Sequence, residues 1–449
     1  MNILEKLNDV SRLQTVLHDR FKLDFNPFPK SGIASINESD SIVEKLIPID
    51  QNVTSKIITY IQDVLFTTLT KGDSLNNDKY QSLIVRGEYG SGKTQTLMFI
   101  KYLFKNIQNQ GVKPYVIYID NPGQKLSELI GGVVAQIGVE NFKKYLWSVF
   151  IEYLDKHPEI KEELFSREIP REKQLFEEKI NLDTKLASSV QNYKELIDAL
   201  TIGLNNVEKR ELVHKLKDYI INSLTPETDS PVVASYFYDI VSDTIGISKS
   251  WDMLTTGSVK ELDKREVNIL KAIVNIVCKQ LGYTDFVILI DEFEEITAER
   301  LRKSDIDNYL RNLRLLIDRE KNWCSVFAMT SKALSIIEEY SAPLAGRIKG
   351  TVIDLKPLTE EGVNQIVLNY LNTARTKDCE NINNPIYPFD ESGIHQMLVV
   401  NEMYTQLKGS PRFILKLCYV LLQRACEELP EGETINEIFV KKYMDEMLK

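Results

Sequence analysis

Gly87-Glu88-Tyr89-Gly90-Ser91-Gly92-Lys93-Thr94, set between the apolar run Ser82 to Val85 and a helix-like stretch from Gln95 to Leu103, decides how this chain is read. The pattern is glycine, four open positions, Gly-Lys and then a hydroxyl residue, between a strand and a helix, and each fixed residue has its own physical task. The glycines let backbone N–H groups turn inward around phosphate oxygens, while the following helix aims the positive end of its dipole at the same anion. Lys93 is expected to reach the β and γ phosphates of a nucleotide triphosphate, and Thr94 to offer its hydroxyl to Mg2+. The expected ATP-binding surface is therefore Gly87, Glu88, Tyr89, Gly90, Ser91, Gly92, Lys93, Thr94 and Gln95.

A second motif lies far downstream in Asp285-Phe286-Val287-Ile288-Leu289-Ile290-Asp291-Glu292. A continuous apolar run with β-branched residues reads as a strand buried on both faces, as in the centre of a parallel sheet. Acids at its carboxyl end project into the crevice where an α/β sheet binds ligands. Asp291 is the expected Mg2+ residue, acting through the ion's water shell, and Glu292 is placed to polarise the attacking water.

The remaining composition narrows the class. With 449 residues, 43% hydrophobic and 27% charged, the chain has the make-up of a folded protein with two or three domains and not of a disordered one. Its net charge of −10 repels nucleic acid as a whole, so any nucleic-acid contact requires a local basic patch or a partner. The start Met1-Asn2-Ile3-Leu4-Glu5-Lys6 lacks a basic leader with an apolar core, and no run of about 18 apolar residues occurs, so a cytoplasmic protein without membrane contact is expected. Cys278, Cys324, Cys379, Cys418 and Cys426 are scattered without a Cys-x-x-Cys pair, and read as buried thiols. His18, His157, His214 and His395 receive no chemical role.

Along the chain, residues 1–50 read as a short amphipathic helix followed by Asp24-Phe25-Asn26-Pro27-Phe28-Pro29, whose prolines favour an extended strap. Such a strap either walls the adenine or covers an edge of the core. Helical spacing from Asp50 to Thr70 leads into the first strand, and Val112 to Asp120 reads as the next. Roughly 165 residues then separate Asp120 from Phe286, far more than one crossover helix needs, and their periodicity is helical. This reads as an inserted helical subdomain, either a specificity element or a spacer. A charged helix from Arg300 to Lys321 places Arg311 and Arg314 on one face, which is a solvated face or a nucleic-acid or partner contact. Ser325 to Thr330 and Gly350 to Leu355 complete five strands, and Pro357 to Lys449 is helical throughout.

These five strands, the helical C-terminal block and the polar residues at strand ends resemble the AAA+ ATPases, and within them the clade of the origin-recognition initiators. The resemblance covers Ser82 to Asp120 and Asp285 to about Arg424. It implies that Thr330 or Ser331, at the end of the fourth strand, orients the lytic water. It implies also that Arg347, in Leu344-Ala345-Gly346-Arg347-Ile348-Lys349, is an arginine finger reaching a neighbouring subunit's nucleotide. In Lys408-Gly409-Ser410-Pro411-Arg412-Phe413, Ser410 is placed to cap a helix that begins at Pro411. Arg412 then sits in the first turn, where a cation is disfavoured unless an anion is near, and it matches the family's second sensor arginine. The stretch from Trp251-Asp252-Met253-Leu254 through Gly282-Tyr283 to Ile290-Asp291-Glu292-Phe293-Glu294 also looks like the ATP-binding subunits of bacterial phage-exclusion (BREX) systems. The residues after the lid are too few for the initiators' winged-helix domain, and the Gly-Arg start is absent around Pro48-Ile49-Asp50, so direct origin recognition is not expected.

The expectation is thus an α/β P-loop NTPase with an AAA+ core and a parallel five-stranded sheet, formed by residues 51–125 and 283–356. Residues 126–282 form the large helical insertion, 357–449 the C-terminal helical lid, and 1–50 an N-terminal helix and strap. The expected function is Mg-ATP hydrolysis that assembles or remodels a partner, in a homo-oligomer or with other subunits of a DNA-linked defence or maintenance system. A nucleotide-gated switch is the alternative.

Overall fold

The computed structural model describes residues 14–31, 50–69, 80–107, 111–165, 192–243, 265–298, 300–319, 323–377, 383–404 and 409–447. Trp251 to Leu254, Pro48, Ile49, Cys379 and Lys408, singled out above, lie outside the described residues.

The strands are β1 (Gln81–Arg86), β2 (Pro114–Ile119), β3 (Asp285–Ile290), β4 (Trp323–Met329) and β5 (Thr351–Asp354). They form one sheet in the order β2-β3-β4-β1-β5, with every pairing parallel. β3 and β4 are buried along their whole length, as the unbroken apolar runs require. Successive side chains of a strand point to opposite faces, and β3 divides accordingly. Phe286, Ile288 and Ile290 join one apolar core, while Val287 and Leu289 join another on the far face with the helices Gln51–Leu69 and Lys93–Lys105. The fold class read from the sequence, α/β with a parallel five-stranded sheet, is the one observed.

The first of those cores runs without interruption from the sheet into the helices that intervene between β2 and β3. Leu129, Val133, Phe142, Phe150, Leu216, Phe237 and Ile273 belong to the same cluster as Ile117 and Phe286. These helices therefore cover the sheet face as well as extending from it. Their ends follow local chemistry. Asn205 and Glu208 make a reciprocal capping box at the start of Asn206–Thr228, and the Ser230 hydroxyl accepts from Val233 N ahead of Pro231. Tyr193–Leu200 is one of the helices in this segment, whose periodicity reads as helical. Among the described residues, no helix is long and apolar enough to cross a membrane.

The C-terminal helices Glu360–Ala374, Glu391–Tyr404, Pro411–Glu428 and Glu437–Met447 have a third apolar core. The block is not wholly helical, because Phe389 pairs with Ile435 in an isolated bridge. The N-terminal strap belongs to this block. Leu23 bridges to Arg375, Asp24 N donates to Ala374 O (2.8 Å), and Asn26 Nδ2 donates to Tyr419 O (3.1 Å). Phe28, 2% exposed, stacks on Tyr370 and meets Phe389 edge-on. The strap thus closes the core of this C-terminal block and not an edge of the α/β core, and Phe28 has no open face to give an adenine ring.

Candidate functional site

β1 and β3 flank β4, and strands lie about 4.8 Å apart, so the carboxyl ends of β1 and β3 are roughly 10 Å from each other. The two motifs leave the sheet at those ends. After β1 the chain turns through Gly90 (φ 76°) and Gly92 (φ 97°) into the helix Lys93–Lys105. Only glycine takes these angles without strain. Gly92 stands at the N-cap position without a capping side chain, no acidic residue occupies the first turn, and open space surrounds the place where a Cβ would stand on Gly92. The helix's first N–H groups are therefore available to an anion. Gly87 N is held by Met329 O (3.1 Å), which ties the loop to the end of β4.

Thr94 Oγ1 donates to Asp291 Oδ2 at 2.6 Å, although the two stand 197 positions apart in the chain. Tyr118 OH donates to the same oxygen (2.9 Å), and Asp291 Oδ1 accepts from Glu292 N (2.9 Å). Burial, with the charge of Asp291 and the hydrogen bond to it, holds the Tyr118 phenol well above its ordinary value, so it remains a donor. Tyr118 is not among the residues the sequence singles out; its signal is a polar tip at the next-to-last residue of a mostly apolar strand. Glu292 has φ 46°, an uncommon angle for a residue with a side chain, and there the chain breaks from the strand into the 3-10 turn Phe293–Thr297. Its carboxylate stands at the exposed rim of the crevice. Partial desolvation there, and then the charges of Asp291, Glu294, Glu295 and Asp120, raise its pKa, which makes it a stronger base than an ordinary glutamate.

Lys93 is 8% exposed, and its ammonium is fully engaged within the chain. Nζ donates to Gly87 O (3.0 Å) and Glu88 O (3.4 Å), and lies 3.4 Å from Glu294 Oε1. The ring of Tyr89, which is largely exposed, stands 5.2 Å from the same nitrogen. Ser91 Oγ and both polar atoms of the Gln95 side chain are buried without a hydrogen-bond partner among the described residues. Such polar groups are costly unless something binds them, and both belong to the predicted phosphate surface.

Thr330 follows β4, between the two motifs, and is 5% exposed. Its hydroxyl accepts from Ala333 N (3.3 Å) and caps the helix Ser331–Tyr340; a hydroxyl accepting in this way keeps a hydrogen to donate. Ser410 does not cap as expected. It occupies the N-cap position of Pro411–Glu428, but its hydroxyl donates instead to Gly90 O (3.4 Å), and Arg412 N donates to the same carbonyl (3.3 Å). The helix Pro411–Glu428 therefore begins on the phosphate loop, with the exposed Arg412 side chain beside Gly90. Arg347 lies elsewhere. Its carbonyl accepts from Ser82 Oγ (3.2 Å) at the amino end of β1, and its guanidinium pairs with Asp318 and donates to Pro343 O (2.8 Å). The structure brings the loop, Asp291, Glu292, Thr330 and Arg412 together and leaves Arg347 out.

No family model matches the chain, and no curated protein matches it. Among solved structures it is similar to the ORC2 protein of Aeropyrum pernix in ADPNP-ADP complexes, at 12% identity and a TM-score of 0.44, over 88% of this chain and 67% of that one. It is similar to the ADP form of that protein at 13% identity and a TM-score of 0.44, over 91% and 73%.

Proposed function

We infer that this chain is an AAA+ ATPase that binds and hydrolyses Mg-ATP in order to assemble or remodel a partner. One observation carries the chemistry: the contact of Thr94 with Asp291 beside the buried Lys93, where two strands open to the same crevice. Mg2+ takes one or two protein oxygens and keeps most of its waters, so a single hydroxyl with a single carboxylate is a fitting donor set. The phosphate loop, the unpartnered Ser91 and Gln95 and the open helix start fit the triphosphate. When bound, Mg-ATP would supply an electrophilic phosphorus with a good leaving group. The chain's own residues then divide the work. Lys93 and Arg412 hold negative charge, Glu292 takes a proton from water, and Thr330 orients that water.

The place of action is proposed from the family resemblance: a homo-oligomer, or an assembly with other subunits of a bacterial antiphage-defence (BREX-like) or DNA-maintenance system, with nucleic acid as a candidate partner; a cytoplasmic location is proposed from the hydropathy of the sequence. The hydrogen bonds from Ser410 and Arg412 to Gly90 favour a second reading, in which nucleotide shifts the lid and turnover is slight.

Steady-state ATPase and nucleotide-binding measurements on the wild type and Lys93→Ala, with Mg2+ or EDTA and with or without DNA, test this. Lys93→Ala should abolish binding or turnover, since each lost charge-assisted contact is worth about 1.5–3 kcal/mol. Equal affinity and turnover in the folded variant would refute the site. Tight binding without turnover by the wild type would select the switch.

A further inference from the structure

Glu294 is buried at 8% exposure, and neither of its carboxylate oxygens has a hydrogen-bond partner among the described residues. A charge in this state is expensive unless a counter-charge faces it. Lys93 Nζ does so at 3.4 Å, the one buried ion pair in the crevice among the described residues. The break at Glu292 sends the chain into the 3-10 turn, Phe293 enters the core, and Glu294 comes to face Lys93. The other two directions of the ammonium are taken by Gly87 O and Glu88 O. Two hydrogen bonds and one ion pair thus hold the Lys93 ammonium entirely within the chain.

We propose that Glu294 competes with phosphate for Lys93: it holds the ammonium down against the loop, and nucleotide binds by displacing the ammonium from this carboxylate. The proposal rests on the nucleotide reading above. It makes Glu294 a positioning residue that acts through Lys93 and sets affinity by competition. A triphosphate must then win Lys93 from an anion already in place, and the carboxylate left behind repels it.

Two measurements on the full chain test this. The first is titration with Mg-ATP and Mg-ADP. Glu294→Gln keeps the shape, removes the competing charge and should tighten both nucleotides about tenfold, with KM falling and kcat held within about twofold. Glu294→Ala should move affinity in the same direction. Unchanged or weaker binding by both variants, beside a wild type that binds, overturns the proposal. So does unchanged affinity with a lost kcat, which would make Glu294 part of the chemistry. The second is thermal unfolding without nucleotide, which does not depend on ATP. Lys93→Met strands the carboxylate and should lower Tm, and adding Glu294→Gln should restore part of the loss. Additive losses overturn the pairing. If the folded wild type binds no nucleotide at all, the ATP reading falls and the competition with it, whatever the pair does in unfolding.

Discussion

Ser82 Oγ donates to the backbone carbonyl of Arg347, which fixes the arginine at the amino end of β1 while the phosphate loop leaves from the carboxyl end. Five residue steps, from Ser82 to Gly87, separate the two, and at about 3.3 Å per residue this is roughly 16 Å. An arginine side chain does not cover that span. Arg347 therefore cannot serve the nucleotide of its own loop, and any catalytic part it plays is toward a neighbouring copy. Its ion pair with Asp318, on the helix Lys303–Arg319, is half-exposed and so open to exchange for another anion.

The consequence is testable by mixing. Arg347→Ala should bind Mg-ATP like the wild type and lose most of its turnover, and Lys93→Ala should bind none. Combined, the two should regain part of the wild-type rate, because one interface in the mixture joins an intact loop to an intact arginine. A mixture that forms mixed oligomers by mass photometry yet stays inactive would remove Arg347 from the reaction.

Glu292→Gln retains size and hydrogen bonding but cannot take a proton. Turnover should fall by roughly 10²–10⁴-fold, with ATP still bound and recoverable unhydrolysed. Single-turnover assays read this directly, and a wild-type rate would assign water activation to another group.

Gly90→Ala tests the seat of the lid. A Cβ at Gly90 would meet Ser410 Oγ at 2.7 Å and the Cβ of Arg412 at 3.1 Å, and φ 76° disfavours any L side chain by about 1–2 kcal/mol. The helix Pro411–Glu428 must then lift from the loop. Faster hydrogen exchange at its first turn, together with at least tenfold weaker nucleotide binding, is expected; unchanged exchange would show that the lid does not depend on this contact.

Phe28→Ala reaches the lid from the other end of the chain. Loss of a ring packed against Tyr370 and Phe389 should cost about 3–5 kcal/mol of lid stability. Urea unfolding followed by tyrosine fluorescence reports it, and a change under about 1 kcal/mol would mean that the strap is dispensable.

Consecutive residues made the strands and the phosphate loop legible. Ile288 and its neighbours form an apolar run that only a doubly covered strand explains, and Gly90 and Gly92 stand where the loop needs positive φ. The acid motif was legible for the same reason, since Asp291 and Glu292 end such a run. Helix starts at Asn205, Ser230 and Thr359 were also written locally, in side chains that reach N–H groups two or three residues on. Ser410 carries the same signal, yet Gly90 O took its hydroxyl: a contact across 320 positions displaced a local one of similar strength.

What the sequence determined by itself is everything that depends on a residue's near neighbours along the chain: five strands, the phosphate-binding turn, the acids at a strand end and the helical remainder. What the tertiary structure decided is which distant parts meet. Tyr118 became a partner of Asp291 because β2 pairs with β3; the strap joined the lid because Leu23 found Arg375; Arg347 was carried to the far end of β1; and Glu294 came to face Lys93. The reason is physical. Backbone angles and periodicity are set by short-range sterics and local hydrogen bonds, whereas the position of a side chain in the site follows from strand order, from the break at Glu292 and from the burial of cores assembled from segments hundreds of residues apart.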